Sequence, residues 1–127
     1  MKLLADTHAF LWFFHGDARL SKHYRKLIED DKNQVFLSIA SLWEIAIKTS
    51  IGKLELDAPF RDLVEDYVER SAFSLLPVAT SHLIELERLP HHHRDPFDRL
   101  LIAQAIVESL PVITTDPKFD FYNIERI

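Results

Sequence analysis

Four carboxylates in this chain, Asp6, Glu44, Asp98 and Asp116, sit where a solvated acid has little reason to be. Asp6 closes the apolar run KLLAD and Asp116 closes PVITTD, so each follows a stretch that reads as a buried strand. Glu44 lies inside the apolar helix IASLWEIAIKTSI, on a face shared with Ala40, Ile47 and Ile51 at three- and four-residue spacing. Asp98 stands in the first turn of RDPFDRLLIAQA, on the side of Leu101, Ile102 and Ala105. Taken singly, each has an ordinary explanation. Asp6 and Asp116 can cap helices, the latter ahead of Pro117; Glu44 can join Ser41 in a capping box or pair with Lys48; Asp98 can complement the helix dipole. Taken together they point elsewhere. Clustered carboxylates repel one another and raise each other's pKa unless cations balance them. An all-oxygen donor set in a chain without cysteine suits Mg²⁺ or Mn²⁺ rather than zinc. The matching chemistry is metal-assisted attack of water at phosphorus.

The neighbouring residues read differently. Asp95 precedes Pro96 and is the natural N-cap of the helix that carries Asp98, a structural assignment. Ser38 is a better cap than Ser41 for the helix of Glu44, which weakens the capping-box explanation. His91, His92 and His93 are adjacent and cannot all face one ion from a helix or strand, so a solvated loop after Pro90 is expected for them.

The elements that must position these acids alternate along the chain. A strand over residues 2 to 6 feeds a helix over Thr7 to Phe14, broken at Gly16 and Asp17; a surface helix follows over Leu20 to Asp31, closed by Asn33. QVFLS is a second strand, and its following helix stops at Gly52. Ala58 to Arg70 shows helical spacing, FSLLPV a third strand, ATSHLIELERL and DPFDRLLIAQAIVES two more helices, PVITTD a fourth strand, and Tyr122 to Ile127 a last short element. Strands apolar on both faces and separated by helices predict an α/β fold, a parallel sheet covered on both sides, with working residues beyond the carboxyl ends of the strands.

Composition narrows the classes. A chain of 127 residues, nearly half of them apolar, predicts one globular domain over residues 1–127. The formal net charge of −5 argues against a broad nucleic-acid-binding face, and two glycines leave no glycine-rich phosphate loop. The run LLADTHAFLWFF is interrupted by Asp6 and His8, so no targeting signal or membrane span is expected, and the absence of cysteine fits a reducing cytoplasm.

ADTHAFLW, SLWEIAIK, RDPFDRLLIAQA and VITTD, in that order and spanning nearly the full length, resemble the PIN-domain ribonucleases, especially the VapC toxins of toxin–antitoxin pairs. The resemblance implies a three-layer α/β/α sandwich with a central parallel sheet and a Mg²⁺- or Mn²⁺-dependent endoribonuclease acting on single-stranded or looped RNA. It also implies a homodimer and a small cognate antitoxin that inhibits it. By position, Asp6, Glu44, Asp98 and Asp116 match the family's four acids and would be both the catalytic and the metal-binding residues. Thr7, Ser41 and Thr115 flank them and could orient the ligands or a phosphate. Lys48, Lys53, Arg94 and Arg99 are candidates for steering phosphate, with an ion pair to a neighbouring carboxylate or a plain surface charge as the alternatives for Arg99. Two rival functions are a phosphatase with Asp6 as nucleophile, which has His8 where a second acid is usual, and a non-catalytic binding module built on Phe10, Leu11, Trp12, Phe13 and Phe14.

Overall fold

The computed structural model describes residues 1–69 and 72–127. Strand β1 (Lys2–Ala5) leads into α1 (Thr7–His15), then α2 (Lys22–Glu29), β2 (Gln34–Ser38) and α3 (Ile39–Ser50). Helix α4 (Phe60–Leu63) continues into a π-helical turn, Val64–Glu69. After it come β3 (Phe73–Leu76), α5 (Thr80–Arg88), α6 (Pro96–Glu108), the two-residue β4 (Val112–Ile113) and a 3₁₀ turn, Pro117–Phe121. The expected helix over Ala58 to Arg70 is thus shorter and partly π-helical, and Arg70 lies outside the described residues. The expected element over Tyr122 to Ile127 reduces to a single parallel bridge between Val112 and Arg126.

The four strands are all parallel in the order β3-β2-β1-β4. Side-chain alternation divides the core into two layers. Leu3 and Ala5 of β1, with Val35, Leu37 and Phe73, pack against α1, α2, α3 and α4, where Phe10, Ile45 and Leu63 are fully buried. Leu4, facing the other way, joins Leu101, Ile102, Leu110 and Phe119 beneath α5 and α6. Helices therefore cover both faces of the sheet, the expected α/β/α sandwich.

The strand order places β2 and β3 on one side of β1 and β4 on the other. A doubly wound sheet opens a crevice at such a point, beyond the carboxyl ends of the two diverging strands. β1 ends one residue before Asp6, and the Asp6 amide donates to the Ile113 carbonyl of β4 at 3.0 Å. No helix among the described residues is long and apolar enough to cross a membrane.

Candidate metal centre

Each acid at this crevice is held by local backbone logic. Asp6 caps α1, its Oδ1 accepting the Ala9 amide at 2.8 Å, and Thr114 donates a further hydrogen bond to it. Asp95 caps α6, accepting the amides of Phe97 and Asp98 at 2.9 and 3.1 Å, with Pro96 at the first helical position. Asp116 caps the 3₁₀ turn, accepting the Lys118 amide at 2.9 Å ahead of Pro117. Ser38, as expected, caps α3 through the Ala40 amide. This releases Ser41, which is fully buried and accepts a 2.8 Å hydrogen bond from Thr7, tying the start of α1 to α3.

These caps converge. Asp98 is pushed up to about 8, first by burial and then by the charges of Asp95, Asp6, Glu44 and Asp116, all within electrostatic reach of it. Burial also pushes the Asp6 carboxyl up, against the hydrogen bonds from Thr114 and Ala9, and Asp116 pushes it further. Asp116 moves the opposite way. Its partial burial is outweighed by hydrogen bonds from the Lys118 amide and His93 and by the charge of Lys118. Glu44, 5% exposed, is met by Lys48 one turn on, Nζ to Oε2 at 2.6 Å, and this ammonium is also held protonated by Asp95 and Asp98.

His93 stands at the centre of the group. Its Nε2 lies 2.8 Å from Oδ2 of Asp116 and 3.1 Å from Oδ2 of Asp98, and these three atoms fall within 4.8 Å of one another. Asp6 and Glu44 border this triangle rather than join it. The expectation of a solvated loop therefore holds for His91 and His92 and fails for His93, which is 6% exposed. Adjacent histidines cannot all face one point, but one of three can. The available signal was its place two residues before the N-cap of the helix that bears Asp98.

Three further expectations are corrected. Thr115 is exposed, and the inward residue is Thr114, on the same side of the chain as Val112 and fully buried; its hydroxyl also accepts the Asp116 amide at 3.0 Å. Arg99 neither steers phosphate nor sits on the surface. It is buried and donates to the carbonyls of Pro90, Leu89 and Leu86, clamping the end of α5. On α3 the buried residues are Ala40, Ser41, Leu42, Glu44 and Ile45, so the expected face holds at Ala40 and fails at Ile47 and Ile51, which point outward. The aromatic stretch of α1 is largely consumed internally: Phe10 and Phe13 meet Phe73 edge-on, with ring centroids at 4.9 and 5.6 Å.

From Glu44 a cleft of about 580 Å³ runs outward past Thr7, His8, Trp12, Lys48 and Lys53. Five carboxylates, met at their edge by the ammonium groups of Lys48 and Lys118, leave a centre short of positive charge. That donor set fits a hard divalent cation, which bare oxygens bind and which would relieve the burden on Asp98.

A family model for the PIN domain matches residues 3–125. The chain belongs to the PIN-domain family. Over 58 residues it is 40% identical to Ribonuclease VapC16 of Mycobacterium tuberculosis (strain ATCC 25618 / H37Rv), a match that covers 46% of this chain and 41% of that protein. The shared stretch therefore spans about two fifths of the relative's length. In fold, this PIN domain is similar to a chain in the crystal structure of VapBC2 from Rickettsia felis bound to a DNA fragment from their promoter. The TM-score is 0.74 at 14% identity, covering 100% of this chain and 98% of that one. A likeness at that identity is one of architecture alone.

Proposed function

We propose that this PIN domain is a Mg²⁺- or Mn²⁺-dependent endoribonuclease acting as the toxin of a toxin–antitoxin pair, with Asp6, Glu44, Asp98 and Asp116 as its catalytic and metal-binding residues. The observation that carries the reading is the convergence of acids from separate elements: Asp98 and Asp116 meet beside His93 with ligand atoms within 4.8 Å of one another, and burial with four neighbouring acids pushes the Asp98 carboxyl up to about 8. When bound, the ion supplies Lewis acidity for displacement at phosphorus by water. Asp98 would hold it from α6, Asp116 from the segment after β4, Asp6 from the end of β1 and Glu44 from α3. The Thr7–Ser41 hydrogen bond fixes Asp6 against Glu44, so the donors are set before any ion arrives.

The cleft beyond Glu44 supports an RNA strand as substrate. Lys48 and Lys53 offer cations for phosphates there, and His8 and Trp12 offer ring surface, with centroids 5.8 Å apart, on which a base can stack. Asp6 as a phosphatase nucleophile is not favoured, because its carboxylate is 5% exposed and engaged by Ala9 and Thr114. For the antitoxin and a second copy of the chain, the support is an exposed apolar stripe on α3, Ile39, Trp43, Ile47 and Ile51, at four-residue intervals. The partial match to Ribonuclease VapC16 supports the ribonuclease assignment.

The test is incubation of the purified protein with RNA in Mg²⁺ or Mn²⁺, alongside Asp6→Asn and Asp98→Asn. Cleavage should require the ion and vanish in both variants. Cleavage that survives either substitution unchanged ends the assignment.

A further inference from the structure

Resting on the reading of this cluster as a divalent-ion site, we propose that His93 is a positioning residue, an imidazole whose Nε2–H is donated to Asp116 beside Asp98, and not itself a ligand of the ion. Proximity alone suggests otherwise, since its Nε2 is one corner of the tight triangle with the two carboxylates. The hydrogen bonding of the other ring nitrogen decides the matter. The backbone amide of Asp95 points at Nδ1 of His93 at 3.2 Å. An amide nitrogen can only donate, so Nδ1 presents its lone pair, and the proton of a neutral ring resides on Nε2. A protonated nitrogen has no electron pair to give a cation. It does have a hydrogen to give a carboxylate, and the 2.8 Å separation from Asp116 Oδ2 is that of a donated hydrogen bond, with Asp98 Oδ2 beside it at 3.1 Å.

Ligating histidines show the reverse arrangement: one nitrogen on the metal, the other donating its N–H to a carboxylate or carbonyl. Turning His93 into a ligand would move its proton to Nδ1, directly against the Asp95 N–H. The conflict would reach the helix, because Asp95 is the N-cap of α6 and Asp98 sits in its first turn. The ring is also fixed from behind. Its own amide donates to the Tyr122 hydroxyl at 2.8 Å, that hydroxyl donates to the Pro90 carbonyl at 2.8 Å, and Phe119 meets the imidazole edge-on at 5.9 Å. The loop from Pro90 to Asp95 is thereby locked in the orientation that makes His93 a donor.

The experiment uses the full chain and Mn²⁺ as the probe. Long-range ¹H–¹⁵N correlation on the metal-free protein should show His93 protonated at Nε2, and pulsed electron paramagnetic resonance of the Mn²⁺ form should show no directly bound nitrogen. In Mn²⁺ titrations His93→Ala should bind roughly 10- to 100-fold more weakly, whereas His93→Gln, which keeps an N–H, should stay within about three-fold of wild type. A directly coordinated nitrogen, an Nδ1-protonated ring, or undiminished binding by His93→Ala would each overturn the proposal. Failure of the wild-type chain to take up Mn²⁺ would bring down the ion-site reading instead, and the metal-free spectrum would still decide whether His93 donates.

Discussion

Two buried histidines in this molecule use the same hydrogen-bonding pattern toward different ends. His82, in the first turn of α5, accepts the Ala79 amide on Nδ1 at 2.9 Å and directs Nε2 at Glu108 at 2.8 Å. Around it Gln104 donates to the Pro77 carbonyl and accepts from Ser38, which in turn caps α3. This polar network is uncharged at its buried centre, and its one acid, Glu108, reaches solvent. His93 has the same ring orientation but meets two carboxylates, with three more acids around them. Among the described residues no buried side-chain nitrogen or oxygen lacks a hydrogen-bond partner, in either region. Hydrogen-bond satisfaction is therefore complete at both, and charge balance at one only. A polar centre can be fully bonded and still be out of electrostatic balance, and the second property is the one that marks a candidate site.

Substitutions can break this contrast from either side. The largest effect is expected at the acid cluster: Asp98→Asn should lower RNA cleavage by roughly 1,000-fold or more, read as single-turnover rates with Mn²⁺. Next comes the dependence of stability on pH. Asp98 and Asp6 both hold protons more tightly in the fold than in the unfolded chain, so the metal-free protein should lose stability as pH rises from 3.8 toward about 8. Asp116, shifted down, works in the opposite sense and withdraws its contribution as the pH falls through its lowered value. Melting curves across this range should slope downward with pH for the wild type and flatten in Asp98→Asn. Divalent ion at 100 times its dissociation constant should restore about 2.7 kcal/mol to the wild type alone.

At the neutral network the consequences are structural. Gln104→Leu strands the Ser38 hydroxyl and the Pro77 carbonyl and should cost about 2–3 kcal/mol in chemical denaturation while leaving Mn²⁺ affinity within about two-fold. A large fall in Mn²⁺ affinity would show that the two regions are not separable. Glu108→Gln is the mildest change, expected below about 1 kcal/mol because its carboxylate is partly solvated.

Much of this was legible in the residues. The three caps Asp6, Asp95 and Asp116, each with a proline or an apolar run behind it, are local signals, and local signals survive folding. The parallel sheet followed from strands without a polar face. What local patterns did not carry was anything that depends on a chain segment returning from afar. His93 is locked by Tyr122, and Arg99 finds its three carbonyls only because α5 and α6 pack as a pair; neither distance is written in a periodicity. The face expected for Glu44 holds at Ala40, which is buried, and fails further along the helix. Ile47 and Ile51 share its spacing, but they point outward, whereas Ser41 and Ile45 point in. A spacing rule chooses among faces only when one face is clearly more apolar than the others, and α3 is apolar nearly all round.

The sheet order has a consequence for synthesis. Asp6 is synthesised well before its counterpart Asp116, which is delivered by β4, docked on β1 through Leu4 opposite Val112. A nascent chain thus carries its acids far apart until residue 116 has emerged and that short strand has found its place. The cluster is therefore completed in a single event, the docking of β4 on β1.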